Sequence, residues 1–288
     1  MSEHVRRMDV RGARPGGGWM AFKGAVNRAT ESRTVESIAR AGYPVSGLLH
    51  LLIAYIIVRI AFGFRGEADQ TGALAVLAEQ RGGSMSLWVV ACGLCALAMW
   101  RLAEVVVGLH PGESEHADKR HTPLVNRFKA FGLAVVYLAL AFAAVQFAVG
   151  VGRQGSERAE GLSARLMQSG GGKAVLVAAG VAIAAFGGYF IYKGASRKFL
   201  ADLTVPGGRL MTTLGFVGHV AEGIVLAAAG ISVLGASFWQ DPSRATGLDA
   251  AVRALGRTEY GQATLLAAAA GFAAYGLYSV ALTRYSRM

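Results

Sequence analysis

The chain has 288 residues, of which 53% are hydrophobic and only 16% charged, with a net charge of +11. Soluble domains carry about 25% charged residues, and here the charge is bunched between long apolar stretches. That excludes an ordinary soluble globular domain and points to a multi-pass membrane protein.

Residues 1–34 read as a basic, flexible arm; "RGARPGGGW" (11–19) is loop-like. Residues 21–40 can form a surface amphipathic helix whose polar positions include Lys23, Arg28, Arg33 and Arg40, a pattern that suits the membrane plane. The expected partner of this arm is an anionic lipid headgroup rather than nucleic acid. No apolar run at the extreme N-terminus is followed by a small-residue cleavage site, so no signal peptide is expected.

The first repeat, residues 35–123, holds apolar runs at about 43–63 and 86–108. His50 and Arg59 lie in the first run, and Arg59 is placed to snorkel toward the nearer interface. Between the runs, "TGALAVLAEQ" (71–80) is too short to span and reads as a short amphipathic helix. Cys92 and Cys95 have CxxC spacing without a second pair or a local His, so they read as small residues packed at a helix crossing. Arg101 and Glu104 follow at i, i+3. The connection "HPGESEHADKRH" (110–121), with His110, His116 and His121, reads as a solvated charged loop rather than a metal site.

The second repeat, residues 124–207, has runs at about 128–150, containing Gln146, and 174–193, with "GLSARLMQSG" (161–170) between them. The third, residues 208–288, has runs at about 210–235 and 262–283, with "TGLDAAVRALG" (246–256) between them. His219 and Glu222 sit at i, i+3 in its first run, and Tyr275 and Tyr278 in its second.

Six runs of this length suit transmembrane helices, which need about 20 apolar residues, and not the short alternating strands of a barrel. Glycine landmarks repeat along the chain: Gly42, Gly132 and Gly218; Gly72, Gly161 and Gly247; Gly93, Gly180 and Gly271. Each unit crosses twice, so the three units point the same way around a pseudo-threefold axis. The small residues in runs such as "LAAAAGFAAYG" (266–276) favour a tight bundle over a wide pore. The termini and alternate connections carry 18 Lys and Arg against 9 on the other side. Both termini are therefore expected in the cytoplasm, with the chain in a bacterial inner membrane.

The chain resembles a bacterial membrane family called domain of unknown function 1206. The residues that carry the likeness are "ARAGYPVSG" (39–47), "GALAVLAEQ" (72–80), "LWVVACGLCALAMWRLAE" (87–104) and "YKGASRKFLADL" (192–203). In the third repeat they are "TTLGFVGHVAEG" (212–223), "DPSRATGLDAAVRAL" (241–255) and "GLYSVALTRY" (276–285). The resemblance covers roughly residues 35–288 and implies six helices in three two-helix repeats, with no established activity. It also implies arginine before the glycine of the odd spans, where this chain has Ser46 and Glu222.

Ionisable residues inside a membrane cost about 2.5–3.5 kcal/mol each on insertion scales and mark candidate sites. The set is His50, Arg101, Glu104, His219 and Glu222. Three readings stay open: pairing of each i, i+3 couple within its own helix, a cross-helix cluster joining Glu222 to Arg101 and Glu104, or a proton path through Glu222, His219 and Glu104. No phosphate loop, nucleophile elbow or zincin motif is present, so neither an enzyme nor a bound cofactor is expected. The expected role is a structural or accessory subunit that binds a partner membrane protein or lipid. A transporter or channel gated by the polar layer, and a redox protein with haem between His50 and His219, are the alternatives.

Overall fold

The computed structural model describes residues 42–107, 123–204, 208–245 and 247–285. The arm at 1–34, the surface helix expected at 21–40 and the histidine-bearing loop at 110–121 lie outside the described residues.

The first repeat contributes α1 (Gly42–Ala61), α2 (Gln70–Ala78) and α3 (Gly83–Val107). The second contributes α4 (Pro123–Ala148), α5 (Gly155–Met167) and α6 (Gly170–Ala195). A short 3-10 turn at Lys198–Asp202 leads to the third, with α7 (Arg209–Trp239), α8 (Leu248–Gly256) and α9 (Gly261–Tyr285). Six of these helices, all but α2, α5 and α8, are long and apolar enough to cross a membrane.

The first span of each repeat ends in the same way. Gly63 (φ 83°), Gly150 (φ 77°) and Gln240 (φ 53°) take the left-handed conformation that stops a helix. After them, the amides of Phe64, Val151 and Asp241 donate back to the carbonyls of Arg59, Gln146 and Ala236. The chain then turns into the short helix. These short helices gather at one end of the bundle, here called the cap; the start of α1 and the end of α9 lie at the other.

Packing between repeats closes the bundle. The second span of each repeat lies along the first span of the next: α3 on α4, α6 on α7, and α9 back on α1. Glycines make these approaches close. On α6, Gly180, Gly187 and Gly194 recur every two turns, facing Gly223 and Gly230 of α7. On the α9–α1 seam, Gly276 meets the backbone of Gly47. Within repeats, α9 also packs on α7 and α3 on α1, but α4 and α6 share no comparable interface among the described residues. The ring therefore has one loose seam, inside repeat 2.

A single apolar cluster fills the half of the bundle nearer the cap. It includes Ile53, Ile57, Leu74, Leu87, Leu94, Val225, Ala229, Leu265 and Phe272. Helix α2 belongs to this core, since Ala73 and Leu74 are fully buried.

Two readings of the sequence need correction. Cys92 and Cys95 are not at a helix crossing but exposed free thiols. They share an outward stripe of α3 with Met85, Trp88, Val89 and Met99, while Leu87, Ala91, Leu94 and Ala98 turn inward and make the contacts. The short helix of repeat 2 starts at Gly155, ahead of Gly161. Its first turns, "GSERAEG", are charged and carry no apolar period that would reveal them.

Candidate functional site

Polar side chains converge in the half of the bundle away from the cap, nearer the start of α1 and the end of α9. His50 sits two turns into α1. Its Nδ1 lies 2.7 Å from the Ser46 carbonyl oxygen, one turn back on the same helix. A carbonyl only accepts, so Nδ1 carries a hydrogen. Its Nε2 lies 3.2 Å from Glu222 Oε1 on α7, a contact that crosses from repeat 1 to repeat 3. The rings of Tyr275 and Phe272, on α9, lie 4.8 and 6.1 Å from the imidazole. The second carboxylate oxygen of Glu222 is buried without a hydrogen-bond partner.

Arg101 and Glu104 pair within α3, Arg101 Nη1 donating to both carboxylate oxygens at 3.1 and 2.8 Å. Arg101 Nε is buried without a partner. The cross-helix reading that joined Glu222 to Arg101 and Glu104 gives way to two separate pairs. They remain neighbours in one layer, since Tyr137 of α4 is within electrostatic reach of Arg101, Glu104 and Glu222.

His219 and Glu222 do not pair with each other, although they share a helix face. His219 Nδ1 donates to the Gly215 carbonyl at 2.7 Å. Its ring is enclosed by Phe199 (5.2 Å, stacked), Phe190 (5.6 Å), Tyr275 (5.1 Å) and Tyr278 (5.2 Å). Tyr278 donates its hydroxyl to the Phe199 carbonyl at 3.3 Å, which fixes the 3-10 turn beneath the imidazole. Tyr275 touches both histidines and so links the two environments. Arg59 lies outside this layer, its guanidinium 5.9 and 5.5 Å from the ring centres of Tyr55 and Phe64.

A second polar assembly lies in the cap, and the sequence reading missed it. Asp69 caps its own helix α2, accepting from the Gly72 amide at 2.8 Å. Helix α5 has no side-chain cap of its own. Its first amides are met from repeat 1: Ser156 N–H donates to Glu67 Oε1 at 2.6 Å and Gly155 N–H to Thr71 Oγ1 at 2.7 Å. From repeat 3, Asp249 accepts from the Ala68 amide at 3.0 Å and from Arg253 Nε at 2.6 Å, while Arg253 also donates to the Gly66 carbonyl. Residues 66–72 thus clasp all three repeats. Burial pushes the carboxyls of Glu67 and Asp69 above the usual range; the neighbouring Asp69 and Asp249 charges add to this for Glu67, and Asp249 for Asp69. The sequence signal was "GEADQTG" (66–72), two acids flanking an alanine before a helix start.

Gln146, read as neutral polarity in the third span, accepts from Arg158 of α5 at the cap. Among the described residues, no group of three or more His, Cys, Asp or Glu side chains is arranged to hold a metal ion.

The family model described as Domain of Unknown Function (DUF1206) matches three times, at residues 41–108, 128–197 and 217–286. An uncharacterized protein of Bacillus subtilis (strain 168), YxxB, is 24% identical over 259 residues, covering 88% of this chain and 92% of its own length. No solved structure matches the chain. The three matches fall on the three two-helix units seen in the fold, and the chain belongs to the family described as Domain of Unknown Function (DUF1206), as a multi-pass membrane protein of three repeats.

Proposed function

We propose that the protein is a non-enzymatic accessory subunit of a bacterial inner-membrane assembly, docking a partner transmembrane helix against repeat 2. The observation that carries this reading is the uneven covering of the ring. The apolar windows of α4 and α6 are 28% and 17% buried, against 39–50% for the other four spans. Helix α6 uses its glycines against α7 and leaves Ala174, Ala178, Ala182 and Ala185 exposed along one stripe. Helix α4 leaves Gly132 and Ala139 exposed. Lipid gives no hydrophobic drive for helix association, so close approach over small residues is what makes such a face adhesive.

In this reading both termini face the cytoplasm, and the basic arm at 1–34 rests on anionic headgroups. The alternative, a transporter gated by the polar layer, has the buried His50–Glu222 pair in its favour. Toward the cap, however, that layer meets the apolar cluster of Ile53, Ile57, Val225 and Phe272. A proton path needs polar groups along the whole depth.

The test is co-purification of the tagged full chain after gentle solubilisation, comparing wild type with Ala178→Leu and Met99→Leu. Loss of one stoichiometric partner in Ala178→Leu alone supports the reading. A monodisperse wild-type chain without a partner, or proteoliposome flux abolished by Glu222→Gln, refutes it.

A further inference from the structure

The contacts of His50 fix how many hydrogens it shares with Glu222. Nδ1 faces the Ser46 carbonyl oxygen and Nε2 faces a carboxylate oxygen of Glu222. Both neighbours are acceptors unless one is protonated. A neutral imidazole next to an ionised carboxylate has one hydrogen for two acceptors, so one contact would set lone pair against lone pair. The observed geometry requires two hydrogens on the pair: an imidazolium beside a carboxylate, or an imidazole accepting from a carboxylic acid. Both forms are neutral overall, as a medium of low polarity favours.

The pair also bridges helices that another helix separates. Helices α1 and α7 each pack along α9, and the His50–Glu222 contact passes over that helix beside Tyr275 and Phe272. Among the described residues, the titratable groups within reach of Glu222 include His50 from α1, Tyr137 from α4, Tyr275 from α9, and His219 on α7 itself. Arg101 and Glu104 of α3 act on the same Tyr137 and are already paired with each other. Only histidine among the groups facing Glu222 changes charge readily near neutral pH.

We infer that His50 and Glu222 form a proton-binding site within the membrane that latches repeat 1 to repeat 3: with the second hydrogen bound the bridge holds, and its release breaks the bridge and lets α1 move away from α7. The inference is independent of the docking face on repeat 2. The released proton goes to bulk water, and no other reactant is involved.

The experiment uses the full chain in lipid nanodiscs with Cys92 and Cys95 replaced by serine. Spin labels replace Tyr55 on α1 and Ile231 on α7, both exposed. In the parent chain, raising the pH converts a short label-to-label distance into a longer one over a single-proton titration. In Glu222→Gln the short distance persists at every pH, because the amide N–H donates to Nε2 without titrating. A parent distance that is constant with pH, or a change that Glu222→Gln leaves intact, overturns the inference. Should Glu222→Gln fail to assemble, nitrogen-15 histidine spectra of the wild-type chain carry the test. Nδ1 of His50 stays protonated while Nε2 follows the same titration as the distance. A His50 Nε2 free of hydrogen bonding while the short distance is held also overturns it.

Discussion

Replacing Gly187 by alanine puts a methyl group where α6 and α7 touch. A Cβ built at this position would lie 2.4 Å from the Ala227 nitrogen, 2.6 Å from the Gly223 carbonyl oxygen and 2.8 Å from the Ala227 Cα. All three are backbone atoms, so no side chain can swing aside. Comfortable carbon contacts begin near 3.5 Å, so the two helices must part by about 1 Å. Over-packing of this kind costs about 1–3 kcal/mol, set against a gain of about 0.5–1 kcal/mol for alanine over glycine inside a helix. The neighbouring Gly188 has nothing within 4 Å of its Cβ position, so Gly188→Ala keeps the gain without the clash. The helix gain is common to both variants and cancels, so they should differ by the over-packing cost, about 1–3 kcal/mol, roughly 5- to 150-fold in the unfolding equilibrium. Reversible unfolding in mixed detergent micelles measures this. If Gly187→Ala proves as stable as Gly188→Ala, the glycine contact is not what joins repeat 2 to repeat 3.

Asp249→Ala should destabilise the cap by about 1–3 kcal/mol, because it strands the buried Ala68 amide. Asp249→Asn should cost less, since its amide oxygen still accepts there; hydrogen exchange over residues 66–72 separates the two. Arg253 is half exposed and returns to water, so its loss adds little. The cap should also loosen as pH rises. The carboxyls of Glu67 and Asp69 titrate above the usual range in the folded chain, so there they bind protons more tightly than in the unfolded chain. Their contribution is complete below the ordinary carboxylate range, near pH 4, and is lost as pH climbs through the raised values. Exchange at residues 66–72 and 155–160, compared between wild type and Glu67→Gln at matched pH, should show a difference that grows with pH and follows the titration of Glu67. Topology can be read by impermeant thiol labelling in a chain lacking Cys92 and Cys95. A cysteine at exposed Gln80, in the cap, should react in intact cells, and one appended after Met288 only after permeabilisation. The reverse pattern would invert the assignment.

The spans were legible because burial in lipid demands long apolar runs, and the observed helices Gly42–Ala61 and Gly261–Tyr285 fall where hydropathy placed them. The repeat was legible partly because close helix crossings admit only small residues, as at Gly42, Gly93, Gly180, Gly218 and Gly271; Gly132, Gly161 and Gly247 share the spacing without such a contact. The Arg101–Glu104 pair followed from helical spacing alone. The same spacing misled at His219 and Glu222. A shared helix face permits a contact without requiring it, and each side chain found a better partner elsewhere, in the Gly215 carbonyl and in His50. The partner of Glu222 lies 172 residues away in sequence, joined to it only by cyclic closure of the repeats. Glu67 was invisible for a related reason, since it caps a helix in another repeat. Cys92 and Cys95 were misplaced because small size fits a crossing and a lipid-facing stripe equally well.

The docking face on repeat 2 is tested most directly by site-specific photo-crosslinking in native membranes. A photoreactive residue is placed at Ala178 or Ala182 on α6 and, as a control, at Met99 on α3, all three exposed. The account expects one discrete protein adduct from both α6 positions, none from Met99, and its disappearance when Ala174→Leu fills the same stripe. Lipid adducts alone from all three positions, or the same protein adduct from Met99, would contradict it.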